Sequence, residues 1–410
     1  MPADPVYLDH AATTPLSTPA REALEAHLGL VGNPSSLHTA GRRAHRIVEE
    51  GRERLAAALG VHPTELIMTS GGTEADNLGL KGAWWAARSK HPARDTIVVT
   101  GAEHHAVLDT VEWLVAHEGA RMVQVPLLTD SSRDGVVDLD AWTRTLRANA
   151  DRVAVATLMW ANNEVGTIQP VEQAAEAAAE VGATFHTDAV QALGHVPVQL
   201  RAPGIASAAV TAHKLGGPVG IGALVLGRDQ APTPLIHGGG HQRGLRSGTL
   251  DVLGTVAFAA AAEHALQHTD DEAARLRALS ARLISGVRSL APDAVLNGPD
   301  PDLPGTQQRR LPGTVHFTFP GCEGDSVLFM LDMAGIATST GSACTAGVAG
   351  PSHVLVAMGR SDDDARSVQR FSLGAGSTEG DVDVVLTALP GVLSAARAAG
   401  LNAAARTNAR

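Results

Sequence analysis

The chain has 410 residues, 44% hydrophobic, 18% charged and 3% aromatic, with 43 Gly and 22 Pro. That length suits about two or three ordinary domains, or one large α/β unit with a satellite, and a core needing no staples. A formal charge of −11 argues against direct nucleic-acid binding, and two cysteines, Cys322 and Cys344, exclude a disulfide scaffold or a Cys-based zinc cluster.

The first residues, Met1-Pro2-Ala3-Asp4-Pro5, carry neither a basic nor an apolar segment, so no secretory signal is expected. No apolar run reaches the roughly 20 residues of a membrane span, and a cytoplasmic, membrane-free setting is the expectation. Buried strands are predicted at 65–69, 95–100, 121–125, 153–159, 184–188, 206–211 and 222–226, where apolar residues run without polar alternation. Helical patterns at 76–89, 105–117 and 172–181 lie between them. Strand–helix alternation of this kind predicts a mainly parallel sheet covered on both faces. Past about residue 260 the texture changes to a long helix at 271–290, a Pro/Gly-rich connector at 297–313, a strand at 314–319 and a helix at 324–333. This part reads as a second, α+β domain, ending in an Ala-rich tail at 393–410 that resembles a frayed helix end.

Lysine occurs only at Lys81, Lys90 and Lys214. Lys214 follows a predicted strand in Thr211-Ala212-His213-Lys214-Leu215-Gly216-Gly217. A lysine at a strand end among small residues is partly desolvated, which favours the neutral amine that Schiff-base chemistry needs. Pyridoxal phosphate is the cofactor such a lysine invites, and it has further requirements. Ser70-Gly71-Gly72-Thr73 joins a strand to a helix, so its N–H groups and the Thr73 hydroxyl suit a phosphate. Asp188 ends a strand and suits a pyridinium nitrogen, although alone it reads equally well as a helix N-cap. His104 follows another strand end, where it can stack on a ring and move protons. Cys344 lies in Ser339-Thr340-Gly341-Ser342-Ala343-Cys344-Thr345-Ala346-Gly347, a run of small residues expected to form an exposed loop from which a thiolate can reach a substrate. Cys322 is the blander of the two thiols.

These segments, with Tyr7-Leu8-Asp9-His10-Ala11-Ala12, Gly32-Asn33-Pro34-Ser35-Ser36, Asn162-Asn163-Glu164-Val165-Gly166, Arg246-Ser247-Gly248-Thr249 and Arg370-Phe371-Ser372-Leu373-Gly374, resemble the NifS/IscS-like cysteine desulfurases. These are pyridoxal-phosphate enzymes of the class V aminotransferase group. The resemblance implies the fold type I of pyridoxal-phosphate-dependent transferases. A large α/β domain with a seven-stranded, mainly parallel sheet would span 16–262, and a smaller α+β domain would combine 1–15 with 263–410.

It also implies roles. Lys214 would carry the cofactor and take the substrate's α-proton; Asp188 would pair with the ring nitrogen, His104 would stack on the ring, and Gln191 would bind its phenolic oxygen. Gly72, Thr73, Thr211 and His213 would hold the phosphate, with Thr249 donated across a homodimer. Asn163, rather than Asn162, would lie near the cofactor's phenolic oxygen and the L-cysteine carboxylate, which Arg370 would bind. Cys344 would take the sulfur as a persulfide and pass it to a protein such as an iron–sulfur scaffold or a tRNA-thiolation enzyme. No metal is implied. Another class V aminotransferase, or a selenocysteine lyase-type enzyme, is the alternative. The chain departs from the family's usual residues at His10 (commonly Asn), at Thr211 (usually Ser) and at Ala375-Gly376, where Arg is frequent.

Overall fold

The computed structural model describes residues 5–341 and 350–407. Its strands are β1 (Val6–Tyr7), β2 (Leu66–Thr69), β3 (Thr96–Thr100), β4 (Arg121–Val125), β5 (Val153–Thr157), β6 (Thr184–Asp188), β7 (Ile205–Thr211), β8 (Gly222–Leu226), β9 (Val295–Leu296), β10 (Thr314–Thr318), β11 (Ile336–Ala337) and β12 (Val368–Ser372). The helices are α1 (Thr18–Glu25), α2 (Thr39–Leu59), α3 (Gly72–Lys90), α4 (His105–Glu118), α5 (Leu139–Ala148), α6 (Val171–Glu180), α7 (Val252–Gln267), α8 (Thr269–Leu290), α9 (Gly324–Met333), α10 (His353–Ala357), α11 (Asp362–Arg366) and α12 (Glu379–Thr407).

The main sheet has seven strands in the order β2-β8-β7-β6-β5-β3-β4. Strand β8 runs against both neighbours and the other six run one way, so the sheet is mostly parallel. Strands β3, β5 and β8 are buried along their whole length, which is why Val, Ile and Ala fill them without polar alternation. Helix α3 packs across β7, β8 and β6 on one face. On the other, Trp142 of α5 packs edge-on to Phe185 of β6 and donates its indole N–H to the Ala174 carbonyl of α6 (3.1 Å).

A smaller α+β domain holds the antiparallel sheet β12-β10-β9 and the parallel pair β1-β11. Its core combines Val6 and Leu8 with Leu283, Phe317, Phe319, Phe371 and Leu389. Each fully buried Phe contributes about 1.5–3 kcal/mol. The Ala-rich tail expected at 393–410 belongs to a longer helix, α12, described as far as Thr407. Helix α12 is continuous through Pro390, and Val382, Val385, Leu389, Val392, Leu393 and Ala396 anchor it in this core, outweighing the break that an interior proline favours. Among the described residues, α12 also holds the one stretch, Glu379–Ala399, long and apolar enough to cross a membrane.

Candidate active site

Strands β2, β3, β5, β6 and β7 share one direction, and the segments leaving their C-terminal ends carry Gly72 and Thr73, His104, Asn163, Asp188 and Gln191, and Thr211 to Lys214. Chain topology thus collects distant residues along the edge where open α/β sheets bind ligands. Lys214 Nζ donates to the carbonyls of Ala11 (2.5 Å) and Ala12 (2.6 Å) in the turn after β1. Gln191 Nε2 donates to the same Ala11 oxygen at 2.8 Å. Beside the amine, His213 Nδ1 lies 3.2 Å from Thr13 Oγ1, and burial followed by the Lys214 charge lowers its pKa to about 4.

Asp188 is buried at the end of β6 and accepts from Val190 N at 2.8 Å. Burial raises its pKa, opposed by the charges of His104 and Lys214. His104 begins α4 as its N-cap, with Nδ1 accepting from Ala106 N at 3.1 Å, so Nε2 is the nitrogen that carries hydrogen in the neutral ring. Burial lowers the His104 pKa and Asp188 opposes that shift. Lysine, carboxyl and imidazole therefore act on one another electrostatically.

Gly72 opens α3 where a Cβ would come within 2.9 Å of Val190 Cγ2, so the turn needs its bare backbone. Thr73 is exposed and lines a cleft of about 380 Å³ with Asn77 and His104. The Thr211 hydroxyl is buried and donates to Ile221 O at 3.2 Å. Thr249 is exposed, and its loop is tied to α3 by Arg246, which donates to both Glu74 carboxylate oxygens (2.8 and 3.2 Å). Burial works against the Glu74 anion, but hydrogen bonds from Arg246 and Ser70 outweigh it and lower the pKa.

Asn162 is spent on its own loop: Oδ1 accepts from Glu164 N and Val165 N, each at 2.9 Å, and Nδ2 donates to Ala102 O. Asn163 is half-buried, and its carbonyl accepts from Arg370 Nη1 at 2.9 Å. Arg370 is buried, pairs with Asp9 at 2.8 Å, and among the described residues has no partner for its Nε. Buried Glu164 accepts from Ser352 Oγ at 2.5 Å, and Gly341 packs against it. Cys344 lies outside the described residues. Cys322 is buried among the small-domain side chains, and burial raises its pKa. The Ala11 and Ala12 acceptors and the Glu74–Arg246 pair went unassigned in the sequence. Backbone oxygens leave no residue signal, although both halves of the ion pair lie inside noted motifs.

A family model for Aminotransferase class-V matches residues 6–385. The chain belongs to that family and, within it, to the pyridoxal-phosphate-dependent cysteine desulfurases. An IscS-like cysteine desulfurase of Mycobacterium tuberculosis is 50% identical over 97% of this chain and 98% of its own. Cysteine desulfurase NifS of Azotobacter vinelandii is 38% identical over 96% and 93%. Among solved structures, a NifS-like protein superposes with a TM-score of 0.84 at 35% identity, covering 95% of this chain and 99% of its own. SspA, solved in complex with cysteine, gives 0.73 at 29% identity, covering 90% and 98%. The donor set of this desulfurase fits its cofactor. An amine resting on two carbonyl oxygens, a buried carboxyl, an adjacent imidazole, and the N-terminus of α3 with the Thr73 hydroxyl could receive aldehyde, ring nitrogen, ring face and phosphate.

Proposed function

We propose that this edge of the sheet converts L-cysteine to L-alanine, with Lys214 carrying the cofactor and moving the substrate's α-proton. One observation carries the reading: the Lys214 amine is placed by Ala11 and Ala12 within electrostatic reach of both Asp188 and His104. Bound pyridoxal phosphate supplies an electron sink for carbanion chemistry. Asp188 holds a proton at the ring nitrogen, His104 covers the ring face, and Gln191 turns its amide from the Ala11 carbonyl to the phenolic oxygen. The Gly72 N–H, Thr73, Thr211 and His213 bind the phosphate. Arg370 and Asn163 take the substrate carboxylate, Arg370 with the Nε–H that none of the described residues uses. The Cys344 thiolate bonds to the substrate sulfur as the C–S bond breaks, leaving a persulfide on the enzyme, and protons returned to the carbon fragment release alanine.

The working unit is a homodimer in which Thr249 of one copy completes the phosphate site of the other. Leu28, Val31 and Leu37 are 67%, 81% and 89% exposed, an apolar surface that a second copy would cover. The same segment reaches the Thr249 loop through Ser35 Oγ and His241 Nε2, 2.9 Å apart. The persulfide sulfur passes in the cytoplasm to a protein acceptor, an iron–sulfur scaffold or a tRNA-thiolation enzyme, and the −11 charge is consistent with no direct nucleic-acid contact. Alanine release from L-cysteine, with mass spectrometry of Cys344, tests the reading. A persulfide on Cys344 supports it. Full turnover by Cys344→Ala would instead favour an aminotransferase or lyase chemistry that needs no thiol.

A further inference from the structure

Behind Asp188 lies a buried polar chain that none of the roles above uses. His186 sits two residues before Asp188 on β6, so both side chains point to the α3 face. His186 Nε2 is 3.1 Å from Asp76 Oδ1 of α3, and its Nδ1 is 2.8 Å from Ser207 Oγ of β7, the residue paired with it across the sheet. Asp76 is 1% exposed, His186 0% and Ser207 3%. The helix makes room for the ring at Gly79, where an added Cβ would lie 2.5 Å from His186 Nδ1. Ser207 in turn lines a cavity of about 210 Å³ at the opposite edge of the sheet, beside Thr184 at the start of β6 and Leu226 at the end of the reversed β8.

Two proton arrangements satisfy this chain. In one, an ionised Asp76 accepts from His186 and Ser207 donates to the ring. In the other, protonated Asp76 donates to Nε2, Nδ1–H donates to Ser207, and the serine hydrogen points into the cavity. The first puts a second anion on a dry face beside Asp188, and dry carboxylates that close do not both ionise. The charged groups bearing on Asp76 are Asp188 and Glu103, both carboxyls, and with burial they raise its pKa. His186 cannot offset an anion there, since burial lowers its own pKa to about 3. Lys214 and His104 act on Asp188 instead.

We propose that Asp76 is a positioning residue for Asp188: it stays protonated, donating to His186, so that the negative charge of this buried face rests on Asp188 alone, where the cofactor's ring nitrogen would sit. This rests on the assignment of Asp188 made above, and the test separates the two. In infrared difference spectra of the protein at neutral pH, wild type minus Asp76→Asn should show a protonated-carboxyl stretch; a carboxylate band in its place overturns the proposal. In the holoenzyme, Asp76→Asn, whose amide also donates to His186, should leave the pH titration of the cofactor's visible band within a few tenths of a unit. Asp76→Leu, which cannot donate, should shift that titration by about one unit and weaken cofactor retention about tenfold. A shift in Asp76→Asn as large as in Asp76→Leu would show that Asp76 carries charge and would also overturn it. Asp188→Asn checks the underlying assignment. If that variant leaves the visible titration unchanged, Asp188 does not serve the ring nitrogen, while the infrared result still reports the proton on Asp76.

Discussion

Lys214 Nζ and Gln191 Nε2 donate to one atom, the carbonyl oxygen of Ala11, at 2.5 and 2.8 Å. The amine is thus seated on main-chain oxygens, within electrostatic reach of the buried Asp188 carboxyl. Lys214→Ala should keep the fold, with an unchanged circular dichroism spectrum and melting temperature. Alanine formation from L-cysteine should fall by about 10³-fold or more, and borohydride should no longer fix cofactor to the protein.

The two thiols should separate cleanly. Cys344→Ser should retain bound, coloured cofactor but form no persulfide detectable by mass spectrometry. Cys322→Ala removes a side chain from the small-domain core, so it should cost about 1 kcal/mol in urea unfolding while the persulfide on Cys344 still forms.

Glycine in a helix interior ordinarily costs about 1 kcal/mol relative to alanine. Gly79 should reverse that rule, because an added methyl meets the His186 ring, which is held at both nitrogens. Gly79→Ala should destabilise the protein by about 1–3 kcal/mol. A gain in stability by thermal or urea unfolding would contradict the packing described for α3 against β6.

Arg246 holds Glu74 through a two-pronged, half-buried contact at the start of α3. Arg246→Ala should raise the dissociation constant for pyridoxal phosphate by about three- to tenfold, measured by absorbance titration, with lysine failing to restore it because an ammonium cannot form the fork.

Stability should depend on pH from both sides. His186 and His316 are buried with pKa lowered from 6.5 to about 3, so the folded chain binds fewer protons than the unfolded one in that interval. Their contribution is complete above pH 6.5 and is lost as pH falls toward 3, at up to about 1.4 kcal/mol per pH unit for each. Glu103 behaves oppositely: burial first, then the Asp188 charge, raises its pKa from 4.5 to about 8, so its contribution is complete below 4.5 and is lost as pH rises through 8. In urea titrations across pH, His316→Gln should flatten the acid side and Glu103→Gln the alkaline side.

What could be read in advance follows from how each feature is encoded. Strands β3, β5 and β8 are continuous apolar runs, and Lys214 stood out as one of three lysines, placed just after a strand, with Asp188 at a strand end as the carboxylate its cofactor would need. Features joining distant segments were harder to see. Arg246 and Glu74 are 172 positions apart, and Lys214 meets oxygens of alanines, whose side chains announce nothing. Helix α12 was read only as a frayed end at 393–410, because the packing that orders it, against α8, α9 and β1, joins distant segments. His186 was read only as part of a buried strand; its pairing with Asp76 depends on Gly79, a vacancy that has meaning only once the helix is docked.

The turn that receives Lys214 has a consequence for the order in which the molecule can be assembled. Ala11 and Ala12 follow β1, whose partner is β11 through the pair Val6↔Ile336, and Ala11 N is capped by Ser372 Oγ of β12. All seven strands of the main sheet lie between residues 66 and 226, and can pair while the chain is still being synthesised. The oxygens that hold the lysine are fixed only after residue 372 has emerged. These long-range closures are the slowest class of contact to form, so the scaffold precedes its chemistry. A nascent chain stalled before β12 should carry the sheet but lack the seat for its reactive amine.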